Sequence, residues 1–308
     1  MRRRERVNVP KGSMTISRNR RSKKPKLGQH FLRDHAAAER IVDALGDISS
    51  STVLEIGPGT GSLTDLLVRR ARRVIAIEFD RVLAAQLRMQ FATTPNLEVI
   101  EGDILSIDFD TLFGPKPGTS RPGLEYVPEQ VRVIGNLPYY ITSDILLRLF
   151  EYYRHFSLMV LMLQREVADR IAARPGSSEY GLLSATAQLY TKVEKLFTLA
   201  PAAFSPPPKV LSTVLRLIVS PQLDKLRVEQ EPFISFLRLS FGQKRKTLWN
   251  NLKAQYKPEL LKSALERSGV KPTLRAEALS LEKSAALFRA LLSVDGQNFR
   301  DGKKPSLP

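Results

Sequence analysis

Val53-Leu54-Glu55-Ile56-Gly57-Pro58-Gly59-Thr60-Gly61-Ser62 passes from an apolar run through three glycines into a stretch of helical periodicity. A short apolar run bounded in this way reads as a buried strand, and glycine between a strand and a helix lets the backbone turn tightly and approach a ligand. The alternation repeats on either side of this stretch. Further strands are predicted over 74–78, 97–102, 131–136 and 158–163, and helices over 36–45, 62–71, 81–91, 143–152, 164–173 and 182–190. Strands that alternate with helices imply parallel crossovers, hence an α/β fold with a mostly parallel sheet. Apolar runs at 193–199 and 210–219 are linked by a Pro-rich segment too short for a helical crossover, so the last strands are expected to pair antiparallel. From Pro221 the strand signals stop, and helices are predicted near 232–253, 258–268 and 281–292.

The chain has 308 residues with 43% apolar composition, enough for a full core. Its formal charge of +17 exceeds what solubility needs and points to a polyanionic partner, nucleic acid above all. The excess is uneven: residues 1–26 hold eleven Lys or Arg against Glu5 alone, without apolar periodicity. The expected organisation is therefore a disordered basic arm over 1–25, an α/β domain over 26–220 and a small all-α domain over 221–308. A Pro- and Gly-rich stretch from Phe113 to Gln130 reads as an irregular insertion. The chain has no cysteine, which removes disulfides, thiolate metal sites and thiol nucleophiles and suits a reducing cytoplasm. There is no apolar run of membrane-spanning length and no secretory leader, and no metal site or membrane partner is expected.

The glycine spacing is Gly-x-Gly-x-Gly, since Ser62 follows Gly61, and not the Gly-x-Gly-x-x-Gly of a dinucleotide site. A turn with no pyrophosphate to cradle suits the methionine moiety of S-adenosylmethionine, which places Gly57 and Gly59 against the cofactor. Glu78 closes the second strand 21 positions after Gly57, where a carboxylate can accept from both ribose hydroxyls. Asp103 closes the third and can accept from an adenine amine. One strand-end acid is usually a helix cap or a solvated loop residue; an expected group at three consecutive strand ends argues for a bound nucleoside.

The fourth strand ends in Gly135-Asn136-Leu137-Pro138-Tyr139-Tyr140. An adenine amine is a poor nucleophile, because its lone pair is delocalised into the ring until acceptors hold its hydrogens in a tetrahedral arrangement. Asn136 Oδ1 supplies one acceptor, and Pro138 stiffens the turn so that the Leu137 carbonyl can supply another. Tyr139 can stack on a base flipped out of its helix. No general base is required, because a sulfonium is a good leaving group and the amine turns acidic once methylated. The absence of cysteine argues against carbon-5 pyrimidine methylation, which needs a thiolate adduct.

Together with Leu27-Gly28-Gln29-His30-Phe31-Leu32, Phe204-Ser205-Pro206-Pro207-Pro208-Lys209-Val210 and the helical tail, these segments make the chain resemble the KsgA-type ribosomal RNA adenine dimethyltransferases over roughly 25–292. The resemblance implies a Rossmann-like class I methyltransferase sheet. It also implies that His30 and Leu32 touch the cofactor, with Asn136 completing its site, and that Phe204 sandwiches the base opposite Tyr139. The implied reaction is N6,N6-dimethylation of two adjacent adenines near the 3′ end of bacterial small-subunit rRNA, by a monomer acting on the small ribosomal particle. This family often has Asn where His30 stands, so a hydrogen bond that an amide makes there falls to an imidazole. Arg238, Lys244, Arg245, Lys246 and Lys253 form a run with no acid in it, a candidate phosphate-binding face on the helical domain. Three other readings stay open: an Erm-type enzyme acting on large-subunit rRNA, an assembly factor that binds RNA without turnover, and a DNA adenine methylase.

Overall fold

The computed structural model describes residues 29–114 and 130–298. The arm expected over 1–25 and most of the expected insertion lie outside the described residues. Nine strands are described: β1 (Phe31–Leu32), β2 (Thr52–Ile56), β3 (Arg73–Glu78), β4 (Leu97–Glu101), β5 (Val131–Asn136), β6 (Phe156–Gln164), β7 (Thr191–Leu199), β8 (Phe204–Ser205) and β9 (Ser212–Val219). Seven of them form one sheet in the order β4-β3-β2-β5-β6-β9-β7. The pairs β3–β4, β2–β3, β2–β5 and β5–β6 are parallel, and β9 runs antiparallel to both β6 and β7. The antiparallel close expected from the short Pro-rich link is thus present.

Strand order reverses beside β2: β3 and β4 lie on one side of it and β5 on the other. At such a switch point the connecting helices leave to opposite faces of the sheet, and a crevice opens at the carboxyl ends of the strands. Registers Ile56↔Ile77, Ile56↔Gly135 and Asn136↔Met162 align those ends along one edge. Close approach of β5 to β2 demands glycine at 135, where an added Cβ would sit 2.6 Å from the Ile56 carbonyl oxygen.

Every residue of β2 is buried, and the pleat sends them alternately to the two faces. Val53, Val74, Ile134, Val160 and Val214 pack under the helices His35–Asp43 and Thr64–Arg70. Leu54, Ile56, Ile75, Val133 and Leu161 join the opposite core, which continues without a break into the C-terminal helices through Phe233, Phe236 and Phe288. Those three rings lie 5.4 to 6.1 Å apart within the helical region, and the Tyr180–Phe241 ring pair, 6.0 Å between centroids, joins that region to the α/β part.

Two sequence expectations are corrected. The helix predicted over 232–253 is two helices, Gln230–Ser240 and Leu248–Leu252. The chain leaves the first through Phe241 and Gly242, and the Thr247 hydroxyl caps the second by accepting from the Asn250 N–H. The apolar periodicity survives the break, which is why it reads as continuous. The pairing of β1 with β8, Phe31↔Ser205 and Leu32↔Phe204, adds two strands that the sequence pattern does not announce, because two-residue strands carry no period.

Candidate active site

A cavity of about 680 Å³ opens at the switch point. Its walls include His30, Leu32, Gly57, Gly59, Glu78, Asp103, Asn136, Leu137, Pro138 and Tyr139, so nearly all the residues singled out on the α/β part of the sequence converge there.

The glycine turn forms the floor. Gly59 adopts φ +60°, open to glycine but strained for other residues, and its N–H donates to Glu78 Oε2 at 3.0 Å. An added Cβ there would meet the Phe31 ring at 2.8 Å, so the turn is also closed over by β1. The Gly57 N–H donates to the Ile77 carbonyl, which locks the turn onto β3. Glu78 is buried and accepts a second bond from the Asp80 N–H at 2.9 Å; one bond to each oxygen fixes the carboxylate and leaves further lone pairs. Asp103 is a helix cap, as strand-end acids often are, accepting from the Leu105 N–H through Oδ1. Its Oδ2 carries no such bond among the described residues.

Asn136, at the end of β5, donates through Nδ2 to the main-chain carbonyl of His30 at 2.8 Å. Committing the NH2 in this way turns Oδ1 to the other side. The His30 imidazole uses Nδ1 to donate to the Pro206 carbonyl at 2.7 Å. The part of His30 that orients Asn136 is therefore its backbone, and the imidazole ties β1 to the segment after β8. Tyr139 is half-buried, its hydroxyl hydrogen-bonded to Ser212 Oγ at 2.9 Å and its ring 5.7 Å from that of His30. The Pro138 carbonyl accepts from the Thr142 hydroxyl at 3.0 Å, which holds the turn leading into the helix Thr142–Glu151.

The strand-end carboxylate Glu78, the second acid Asp103 and the tight glycine turn thus line one cavity. A family model described as ribosomal RNA adenine dimethylase matches residues 20–292. The chain belongs to the ribosomal RNA adenine dimethylase family. It is 56% identical over 270 residues to "Ribosomal RNA small subunit methyltransferase A" of Koribacter versatilis, covering 88% of this chain and 95% of the relative. Among solved structures, a dimethyladenosine transferase from Plasmodium falciparum superposes with a TM-score of 0.68 at 27% identity, over 87% of this chain and 98% of the other. The 23S rRNA methyltransferase ErmE gives 0.60 at 28% identity, over 85% and 99%.

The cofactor of this adenine dimethylase is S-adenosylmethionine, and the class I methyltransferase sheet expected from the sequence is the one observed. Not every expected residue reaches the cavity. Phe204 is only 2% exposed, belongs to the buried cluster that also holds Leu32, Leu199 and Val214, and is not among the residues that line the cavity. It holds the wall from behind, with its backbone paired to Leu32. Arg238, Lys244, Arg245, Lys246 and Lys253 are all exposed, but only Arg238 lies within a helix. Lys244 to Lys246 lie on the loop between the two helices, and the Lys244 ammonium donates to the Ser178 carbonyl, tethering that loop across to the α/β part.

Two residues of the site were not assigned a role from the sequence. Ser212, which anchors Tyr139, had no local signal. Glu55 had one, an acid inside an otherwise apolar strand. It is 1% exposed, lines the cavity and accepts from the Thr64 hydroxyl at 2.7 Å. Burial pushes its carboxyl up to about 7, with the nearby Glu78 charge acting in the same direction and the Thr64 bond opposing.

Proposed function

We propose that this adenine dimethylase dimethylates N6 of two adjacent adenines near the 3′ end of small-subunit rRNA, acting as a cytoplasmic monomer on the small ribosomal particle. The observation that carries the reading is the Asn136–His30 hydrogen bond, which aims an amide oxygen into the cavity that the glycine turn also lines.

In this reading Glu78 accepts from the ribose hydroxyls and Asp103 from the adenine amine of the cofactor, while Gly57, Gly59, Leu32 and the His30 backbone enclose its amino-acid end. Bound there, S-adenosylmethionine supplies an activated methyl group whose sulfur leaves without an acid. Asn136 Oδ1 and the Leu137 carbonyl hold the two hydrogens of the target amine, freeing its lone pair from the ring, and Tyr139 stacks on the base. Catalysis is then alignment and exclusion of water, and the proton is lost to solvent after transfer. Arg238, Lys244, Arg245, Lys246 and Lys253 bind phosphates and position the RNA without reading its sequence.

The similarity to a small-subunit methyltransferase over nearly its whole length supports this substrate over large-subunit rRNA. The test is transfer of labelled methyl groups to unmethylated small subunits, with the labelled adenines mapped by mass. Label in large-subunit RNA or in DNA, or no label at all, overturns the reading.

A further inference from the structure

We propose that Tyr140 is a positioning residue that stacks on the base next to the target adenine, an inference that rests on the RNA-methylating reading above. Among the described residues Phe79, Val82 and Tyr140 are large apolar side chains left exposed at the rim of one cavity. Phe79 and Val82 follow β3, on the side of Glu78 and hence of the cofactor. Tyr140 follows β5, on the side of Asn136 and hence of the target. It is 55% exposed, and no ring or hydrogen-bond partner of its side chain is described.

Its neighbour behaves differently. Tyr139 is half-buried and pinned through its hydroxyl to Ser212, so its ring has one fixed place inside the cavity. Consecutive residues of one turn lie about 3.8 Å apart at Cα, so the second ring stands at the mouth while the first stands within. A nucleotide flipped into the cavity is covalently joined to its neighbours, which must then lie at that mouth, unstacked. Unstacked bases are taken up on aromatic faces, and a chain of net charge +17 draws the RNA strand there. With two adjacent target adenines, the ring at the mouth holds one while the other reacts.

The experiment compares wild type with Tyr140→Ala, Tyr140→Phe and Tyr140→Trp, measuring kcat and KM for unmethylated small subunits, cofactor Kd and Tm. Tyr140→Ala should raise KM roughly 5- to 150-fold, the range expected when one stacking platform is removed, with cofactor Kd and Tm unchanged. Phe should restore the wild-type KM, because the ring and not the hydroxyl is used, and Trp should match or lower it. An unchanged KM in Tyr140→Ala, or a Phe variant as weak as Ala, overturns the proposal. Should Ala fail to fold, a Trp variant with KM raised as far as a Tyr140→Leu variant overturns it equally. Absence of methyl transfer by the wild-type protein marks failure of the RNA-methylating reading itself, a different outcome.

Discussion

The Asn136 side-chain amide reaches across 106 residues of sequence to the main-chain carbonyl of His30, at 2.8 Å. The bond gives the amide one orientation, and it uses the backbone of residue 30 and not the imidazole. What Asn136 needs from residue 30 is a carbonyl, which every residue has.

Asn136→Ala should lower kcat by roughly 100- to 1000-fold, the usual loss when one preorganised polar partner of the reacting group is removed, with cofactor Kd changed by less than about threefold. Asn136→Asp should be as inactive as Ala, since a carboxylate cannot donate to the His30 carbonyl. Single-turnover methylation and calorimetric cofactor titration check both. An Asp variant close to wild type in rate would separate the His30 bond from catalysis.

Gly59→Ala places a Cβ 2.8 Å from the Phe31 ring at a φ of +60°. Backbone strain and displacement of β1 should together cost about 1 to 3 kcal/mol of stability and weaken cofactor binding at least tenfold. Chemical denaturation and cofactor titration give the two numbers. Unaltered cofactor affinity would mean that the turn is not pressed against the ligand.

Charge reversal at Lys244 and Arg245 should weaken RNA binding and reduce the slope of log K against log salt by roughly 0.7 to 0.9 for each phosphate that the variant no longer neutralises. Binding measured across a salt series is the check. A parallel line of equal slope excludes both residues from the RNA footprint.

The Glu55 carboxyl titrates near 7 in the fold against an ordinary value of 4.5, raised first by burial and then by the Glu78 charge. An acid with a raised folded-state pKa contributes stability that is complete below about 4.5 and is lost as pH climbs through about 7, on the order of 3 kcal/mol over the whole window. Glu55→Gln keeps an acceptor for the Thr64 hydroxyl and cannot ionise. It should flatten the decline in Tm between about pH 4.5 and 7; an identical decline in both proteins would locate the effect elsewhere.

Most of the sheet was legible because β2 to β5 are largely apolar runs closed by glycine, an acid or Asn, because β6 is a long apolar run, and because the link between β7 and β9 is too short for a helix. The convergence of Gly57, Glu78, Asp103 and Asn136 on one cavity was legible for the same reason, since all four sit at or just beyond strand ends. What escaped reading depends on contacts between distant segments. Phe204 reads as an aromatic in a Pro-rich turn, yet its backbone pairing with Leu32 buries the ring. Ser212 has nothing in its own neighbourhood to connect it to Tyr139, 73 residues away. The break at Phe241 and Gly242 was masked by apolar residues that stay in phase across it.

The pairing of β1 with β8, and the His30–Pro206 bond beside it spanning 176 residues, has a bearing on how the protein is made. A nascent chain that has emerged only as far as β7 can build most of the crossovers and the Asn136–His30 bond, but it lacks the β8 partner and the Pro206 carbonyl that complete the fastening of the segment carrying His30 and Phe31. A truncated product ending before Pro206 therefore keeps the Asn136 and Ser62 bonds to this segment but loses its strand partner and the imidazole's anchor.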